Sequence, residues 1–136
     1  MFLIEKTFRI AMGHRLSQHQ GLCKNFHGHN FVIKVGVSRK DLNSGGMIVD
    51  FSDLKDVVNM VLKPFDHAMV INGNENKEIR EKFRDFKLLM IDGEPTAENL
   101  SKFFYDAIRA VLSERLDLEY VDVWENEDSM AMYTPD

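Results

Sequence analysis

The segment Cys23-Lys24-Asn25-Phe26-His27-Gly28-His29 concentrates more potential chemistry than any other stretch of this 136-residue sequence. Side chains two residues apart on an extended backbone leave the same face, so His27 and His29 would present their imidazoles side by side. A third histidine, His14, lies upstream at the end of an alternating apolar run. The chain's only cysteine, Cys23, stands four residues before His27.

Three neutral imidazoles that converge on one point suit zinc, and a catalytic zinc site usually combines three protein ligands with one open position. We therefore predict that His14, His27 and His29 bind zinc. The alternative for a bare His-x-His pair is an ordinary pair of surface or core histidines. The upstream His14 and the nearby cysteine favour the metal site.

The sequence on both sides of this segment alternates between apolar and polar residues, which predicts two strands with one buried face each. The apolar positions of residues 2–12 share the parity of His14, and those of residues 29–38 share the parity of His27 and His29. A long hairpin would therefore bring the three histidines to the same end and the same face. The periodicity alone predicts this convergence.

Two helices and a final hairpin are predicted from the rest of the chain. The first helix would begin at a Ser52 cap and end at Pro64, and the second would begin at a Thr96 cap; both show a buried stripe at helical spacing. Residues 72–85 are polar and predict a loop with a short helix, and residues 87–91 are a short apolar run. The alternating segments 119–126 and 129–133 predict a hairpin.

The order of elements is thus ββααββ, which indicates a single α+β domain over residues 1–136 with a four-stranded antiparallel sheet and both helices on one face. Such a sheet leaves two open edges. Because open edges invite pairing with other chains, we predict a homo-oligomer joined through its sheets.

Composition excludes several classes of function. The net charge of −5 and the absence of a basic run argue against nucleic-acid binding. No apolar run reaches the length of about 20 residues that a membrane span needs, and charge follows the N-terminus too soon for a signal peptide. One cysteine cannot form an internal disulfide, which fits a reducing compartment. We expect a cytoplasmic protein without membrane or nucleic-acid partners.

Further residues are candidates for chemistry outside the histidine cluster. Cys23 lies in a polar loop beside Lys24 and the predicted metal, a setting that favours a base or nucleophile, although a lone cysteine is often a packing residue. Asp66 and His67 could form an oriented acid–imidazole pair, or His67 could interact with the last carbonyls of the preceding helix.

Two glutamates complete the set of candidates. Glu125 shares the inward parity of the penultimate strand and needs a partner, either an arginine or a ligand with adjacent N–H groups. Glu98 lies in the first turn of the second predicted helix, where an acidic residue commonly complements the helix dipole.

Six separated motifs in the same order make the chain resemble the 6-pyruvoyltetrahydropterin synthase family from end to end. They are Met12-Gly13-His14-Arg15-Leu16, Cys23-x3-His27-Gly28-His29-Asn30, Val49-Asp50-Phe51, Asp66-His67, Pro95-Thr96-x-Glu98-Asn99 and Trp124-Glu125. The resemblance implies the tunnelling fold, in which the sheets of neighbouring subunits join into a barrel and active sites lie between subunits of a trimer or hexamer. It also implies a dihydropterin substrate.

The same resemblance implies a role for each candidate. His14, His27 and His29 would hold zinc, and Cys23 would be the base that abstracts a proton. Asp66 and His67 would form a proton relay that another subunit contributes to the active site. Glu125 would bind the 2-amino and ring N–H groups of the pterin. Glu98 matches a family glutamate near that pocket.

The three-residue gap between Cys23 and His27 is similar to that of the bacterial 6-carboxy-5,6,7,8-tetrahydropterin synthases of the queuosine pathway. That subgroup would convert 7,8-dihydroneopterin triphosphate to carboxytetrahydropterin, acetaldehyde and triphosphate. The sequence departs from the subgroup in Ala68-Met69-Val70, where basic or aromatic residues are usual. A 6-pyruvoyltetrahydropterin synthase, a folate-pathway relative and a non-enzymatic oligomer stabilised by zinc are the alternatives.

Overall fold

The computed structural model describes residues 1–136 and is built on one long antiparallel hairpin. Strand β1 covers Phe2–His14 and strand β2 covers His27–Arg39. They pair over their whole length, from Phe2 opposite Arg39 to His14 opposite His27. The alternation in the sequence is realised as predicted, because the apolar residues of one parity are buried: Phe8, Ile10, Met12, Phe31, Ile33, Val35 and Val37.

Two helices cover the buried face of the hairpin. Helix α1 covers Phe51–Leu62 and begins at Asp50, whose side chain accepts a hydrogen bond from the Ser52 backbone N–H. The predicted cap at Ser52 was therefore two residues late. Pro64 lies in the 3-10 turn Lys63–Phe65 that follows α1, so the helix ends where it was predicted to end.

The other long helix, α3, covers Ala97–Val111 and begins at the predicted cap, where Thr96 Oγ1 accepts from the Asn99 N–H at 3.1 Å. The apolar stripes of α1 and α3 join one core with the hairpin; their fully buried members are Leu54, Val58, Leu62, Leu100, Phe104 and Ile108. The short helix α2, Lys77–Lys82, lies in the polar stretch where a short helix was expected.

The sheet has six strands, so the predicted count of four and the purely antiparallel arrangement were wrong. Its remaining strands are β3 (Ala68–Asn72), β4 (Leu88–Ile91), β5 (Asp117–Asn126) and β6 (Ser129–Tyr133). The order is β4-β3-β1-β2-β5-β6. Strands β5 and β6 form the predicted final hairpin and extend the sheet antiparallel to β2.

Strands β3 and β4 run parallel to β1 and were missed because they carry no alternation. Short apolar runs in a parallel arrangement do not show the period of two that identifies a half-exposed strand. The departure Ala68-Met69-Val70 is the start of β3, which pairs with Met12, Gly13 and His14 of β1. None of the helices is long and apolar enough to cross a membrane.

Candidate metal centre and active site

The register of the β1–β2 hairpin places the three histidines in one cluster. His14 lies directly opposite His27, and His29 lies opposite Met12, so all three leave the face that packs toward the helices. Candidate ligand atoms of the three imidazoles lie within 4.8 Å of one another. Phe31 packs against the cluster, with its ring centroid 5.6 Å from that of His14 and 5.2 Å from that of His29.

Backbone carbonyls fix the orientation of two of these rings. His14 Nδ1 lies 2.8 Å from the Pro95 carbonyl oxygen, and His27 Nδ1 lies 2.8 Å from the Asn25 carbonyl oxygen. A carbonyl oxygen only accepts, so both Nδ1 atoms carry the proton and both Nε2 atoms keep a free lone pair. This is the arrangement in which metal-binding histidines are usually held.

The donor atoms of the cluster fit a metal ion. His14 Nε2 and His29 Nε2 are buried and have no hydrogen-bond partner, and such orphaned atoms are rare in folded proteins. Burial lowers the pKa of His14, and the neighbouring His27 and His29 act in the same direction against the opposing effect of the Pro95 hydrogen bond. His14 is therefore neutral at pH 7, the form that binds a metal.

Cys23 is near the cluster in sequence but is not one of its ligands in this structure. It lies in the 3-10 turn Leu22–Lys24 as a half-buried free thiol, and the group of potential metal ligands consists of the three histidines. Its carbonyl oxygen accepts a hydrogen bond from the Leu16 N–H at 2.8 Å. The loop that carries the thiol is therefore closed at its base by a backbone contact.

The Asp66-His67 pair is attached to β1 through Ala11. The Ala11 N–H donates to Asp66 Oδ1 at 2.9 Å, and the His67 N–H donates to the Ala11 carbonyl at 2.6 Å. Asp66 Oδ1 also lies 3.1 Å from His67 Nδ1, so the predicted acid–imidazole contact is present. The Ala11 hydrogen bond, with a smaller contribution from His67, keeps the pKa of Asp66 below its usual value.

His67 has a φ of 62°, a left-handed conformation that is uncommon for a residue other than glycine. The two contacts with Ala11 hold it there, and Lys87 Nζ donates to the Asp66 carbonyl at 2.7 Å from the other side. Strained backbone that its surroundings enforce occurs often at functional sites. The alternative, a histidine that binds the last helix carbonyls, is not realised, because the His67 ring contacts the Asp66 carboxylate.

Two clefts adjoin the histidine cluster. The first, of about 570 Å³, is lined by His29 and His67 together with Phe83 and Phe86. The second, of about 710 Å³, is lined by His29, Glu125 and Trp124 among others. His67 therefore lines one cleft that includes His29, and Glu125 lines the other.

Glu125 is half-buried on β5, and the ion pairs of the chain do not include it, so its carboxylate has no arginine partner. It lies close enough to His14 to raise the pKa of that residue slightly against the stronger effect of burial. Glu98, in contrast, is exposed in the first turn of α3 and lines neither cleft. The structure does not bring Glu98 together with the other candidates.

Three contacts of the site were not foreseen from the sequence. They are the Pro95 carbonyl on His14, the Lys87 ammonium at Asp66, and the Glu94 carboxylate, which accepts from Ser17 in the Cys23 loop. Each joins residues more than 20 positions apart. Contacts between such distant residues leave no mark in local sequence spacing. The one indirect signal was the helix start at Pro95-Thr96, next to the carbonyl that contacts His14.

The sequence matches the family described as 6-pyruvoyl tetrahydropterin synthase over residues 3–136. The chain belongs to this family. It is 32% identical, over an alignment of 155 positions, to the 6-carboxy-5,6,7,8-tetrahydropterin synthase of Aquifex aeolicus, covering 96% of each chain. It is also 32% identical to the enzyme of the same name from Haemophilus influenzae, covering 98% of this chain and 99% of that one.

Solved structures show the same fold. An uncharacterized protein from Wolinella succinogenes superposes with a TM-score of 0.82 at 17% identity, covering 99% of this chain and 98% of that one. The 6-pyruvoyl tetrahydropterin synthase of Caenorhabditis elegans gives a TM-score of 0.74 at 22% identity, covering 99% and 96%. The tunnelling fold expected from the motifs is confirmed.

The cluster predicts specific metal binding. Replacing His27 by alanine removes one of three ligands, so the variant should lose most of the roughly one equivalent of Zn²⁺ that we expect the wild-type chain to bind. Metal analysis after dialysis measures the stoichiometry. His19→Ala is the matched control, because His19 lies outside the cluster. Undiminished zinc in the His27→Ala variant would contradict the assignment.

Proposed function

We propose that this chain is a zinc-dependent lyase that converts 7,8-dihydroneopterin triphosphate and one water molecule to 6-carboxy-5,6,7,8-tetrahydropterin, acetaldehyde and triphosphate. The observation that carries the proposal is that one short segment supplies histidines of a potential metal site together with a thiol that is not one of its ligands. Carbonyl contacts orient the His14 and His27 imidazoles, and His29 has an unpartnered Nε2. The Cys23 thiol, four residues before His27, lies outside the ligand set. The names of the relatives from Aquifex and Haemophilus support the same reaction.

Zinc would be held by His14, His27 and His29, and when bound it supplies a Lewis-acid position for the oxygens of the substrate side chain. The Phe31 ring packs on the cluster and excludes water from its buried side. The neutral state of His14 and the carbonyl contacts on Nδ1 keep the ligand atoms ready without a conformational change.

Cys23 would remove the proton from the substrate side chain as the thiolate, which is the basic form of cysteine. His67 would receive and return protons at its Nε2, because its Nδ1 faces the Asp66 carboxylate. The Asp66 carboxylate would hold that ring in one orientation and stabilise its protonated form. In the assembled enzyme a neighbouring subunit would supply this pair, as the family resemblance implies.

Glu125 would bind the pterin ring through two adjacent N–H groups. A carboxylate offers two acceptor oxygens in one plane, which matches the 2-amino group and the neighbouring ring N–H of a pterin. Its half-buried position beside the histidine cluster and its lack of an ion-pair partner support this role. The role of Glu98 near the pocket has no support from its exposed position on α3.

Two other readings use the same residues. A 6-pyruvoyltetrahydropterin synthase or a folate-pathway relative would share the metal site and the pterin pocket but release different products. A structural zinc site in a non-enzymatic oligomer would use the histidines alone. The structural reading is weaker, because a closed site takes four protein ligands and the available thiol lies outside the ligand set.

Product analysis tests the reaction directly. The zinc-loaded protein incubated with 7,8-dihydroneopterin triphosphate should release acetaldehyde and carboxytetrahydropterin in equal amounts, measured by chromatography and an aldehyde-coupled assay. Pyruvoyltetrahydropterin without acetaldehyde would contradict the subtype and leave the metal site standing. No turnover by the zinc-loaded oligomer would favour the structural reading.

The proposed base gives a second prediction. Cys23→Ala should retain zinc but lower turnover by about 100-fold or more, because loss of a general base typically costs that much. Bound zinc and kcat are measured on the same preparation, with Lys55→Ala on the exposed face of α1 as the control. Zinc lost together with activity would instead make the thiol a metal ligand.

A further inference from the structure

Glu94 contacts the loop that carries the thiol, although it lies 77 residues away in sequence. We call residues 15–26, between β1 and β2, the Cys23 loop. The Ser17 N–H donates to Glu94 Oε2 at 3.1 Å, and the Ser17 hydroxyl donates to Glu94 Oε1. Both carboxylate oxygens of Glu94 are therefore used by one residue of this loop. Hydrogen bonds to a charged acceptor are among the stronger ones in proteins.

This contact is made at the base of the loop, next to the point where the loop closes. Leu16, the neighbour of Ser17, donates its N–H to the Cys23 carbonyl at 2.8 Å. Two hydrogen-bonded contacts therefore connect Glu94 with Cys23. One joins Glu94 to Ser17, and the other joins Leu16, the neighbour of Ser17, to Cys23. The position of Cys23 relative to the sheet therefore depends on the position of the Glu94 carboxylate.

The residue after Glu94, Pro95, contacts the histidine cluster. The Pro95 carbonyl accepts the proton of His14 Nδ1 at 2.8 Å. Glu94 thus contacts the Cys23 loop, and its neighbour Pro95 contacts His14, the most buried histidine of the cluster. Any displacement of this pair would move the loop and the imidazole together.

Helix α3 makes this pair of residues a rigid support. The Glu94 carbonyl accepts from the Thr96 N–H at 2.8 Å and from Asn99 Nδ2 at 2.8 Å. Gly93, immediately before, has a φ of 93°, which turns the chain sharply into the helix and which a residue with a side chain would adopt only with strain. The support is therefore fixed to the first turn of α3 rather than to a mobile loop.

We propose that Glu94 is a positioning residue that sets the distance between the Cys23 thiol and the histidine cluster. It does not touch the reacting atoms itself. Its effect on turnover rests on the proposed function, whereas its effect on the Cys23 loop does not. A displacement of about 1 Å at a reacting group can cost about 100-fold in rate, so a residue that fixes the loop has a large indirect effect.

The test compares Glu94→Ala and Ser17→Ala with Glu94→Gln, which keeps one acceptor oxygen for Ser17. Glu114→Gln is the matched control, because Glu114 is exposed in the loop after α3. Three quantities are measured on zinc-loaded protein: hydrogen exchange of the Leu16 amide, kcat and KM for the proposed substrate, and bound zinc. Exchange reports local opening of the Leu16–Cys23 hydrogen bond.

We expect Leu16 exchange in Glu94→Ala to accelerate by about 10-fold or more while amides of the central strands stay unchanged. We expect kcat to fall by about 10- to 100-fold with KM within about threefold and with zinc retained. Ser17→Ala keeps the backbone N–H contact to Glu94 Oε2, so it should lie, like Glu94→Gln, between wild type and Glu94→Ala. Adding Ser17→Ala to Glu94→Ala should change little.

Unchanged Leu16 exchange in Glu94→Ala would overturn the proposal, whatever happens to turnover. Accelerated exchange throughout the sheet would also overturn it, because Glu94 would then be a general stabilising contact. Accelerated Leu16 exchange with unchanged kcat would show that the loop position does not limit the reaction, which contradicts the positioning role. A wild-type protein inactive on the pterin would refute the proposed function and leave the exchange result as the test of the contact.

Discussion

The pairing register between β1 and β2 is the constraint on which the rest of the structure depends. It sets His14 opposite His27 and His29 opposite Met12, and it gives the cluster the same face as the buried core residues of the hairpin. Because side chains alternate along a strand, a slip by one residue would turn either strand's histidines to the opposite face. The same slip would expose the apolar residues that pack on α1 and α3. Core packing therefore fixes the position of the histidine cluster, and the Pro95 and Asn25 carbonyls orient two of its rings.

The cluster carries an energetic cost that metal binding would relieve. Buried nitrogen atoms without partners, here His14 Nε2 and His29 Nε2, each cost about 1–3 kcal/mol. A ligand that binds only the folded chain adds stability according to its concentration and affinity. The Cys23 loop is held by hydrogen bonds from Ser17 to Glu94 and from Leu16 to the Cys23 carbonyl. Glu94 and its neighbour Pro95 thus contact the Cys23 loop and the histidine cluster, respectively.

Much of this arrangement could be predicted from the sequence, because period-two alternation continues through His14 and restarts at His27. The cap at Thr96 was also predictable from the local pattern, whereas the local sequence left two alternatives open for His67, and the structure shows its contact with Asp66. Strands β3 and β4 were not, since short apolar runs in parallel strands lack the alternation that identifies a half-exposed strand. The contact between Glu94 and Ser17 was hidden for another reason: it joins two loops 77 residues apart and leaves no trace in spacing.

The central claim is that three imidazoles bind zinc while the Cys23 thiol remains outside its coordination shell. X-ray absorption at the zinc edge tests this most directly on the loaded protein. The account predicts nitrogen and oxygen scatterers alone, with zinc–ligand distances of about 2.0–2.1 Å and one position that changes when a pterin ligand is added. A sulfur scatterer at about 2.3 Å in the ligand-free protein would contradict it. Cys23 would then be a fourth ligand of a closed structural site rather than a base.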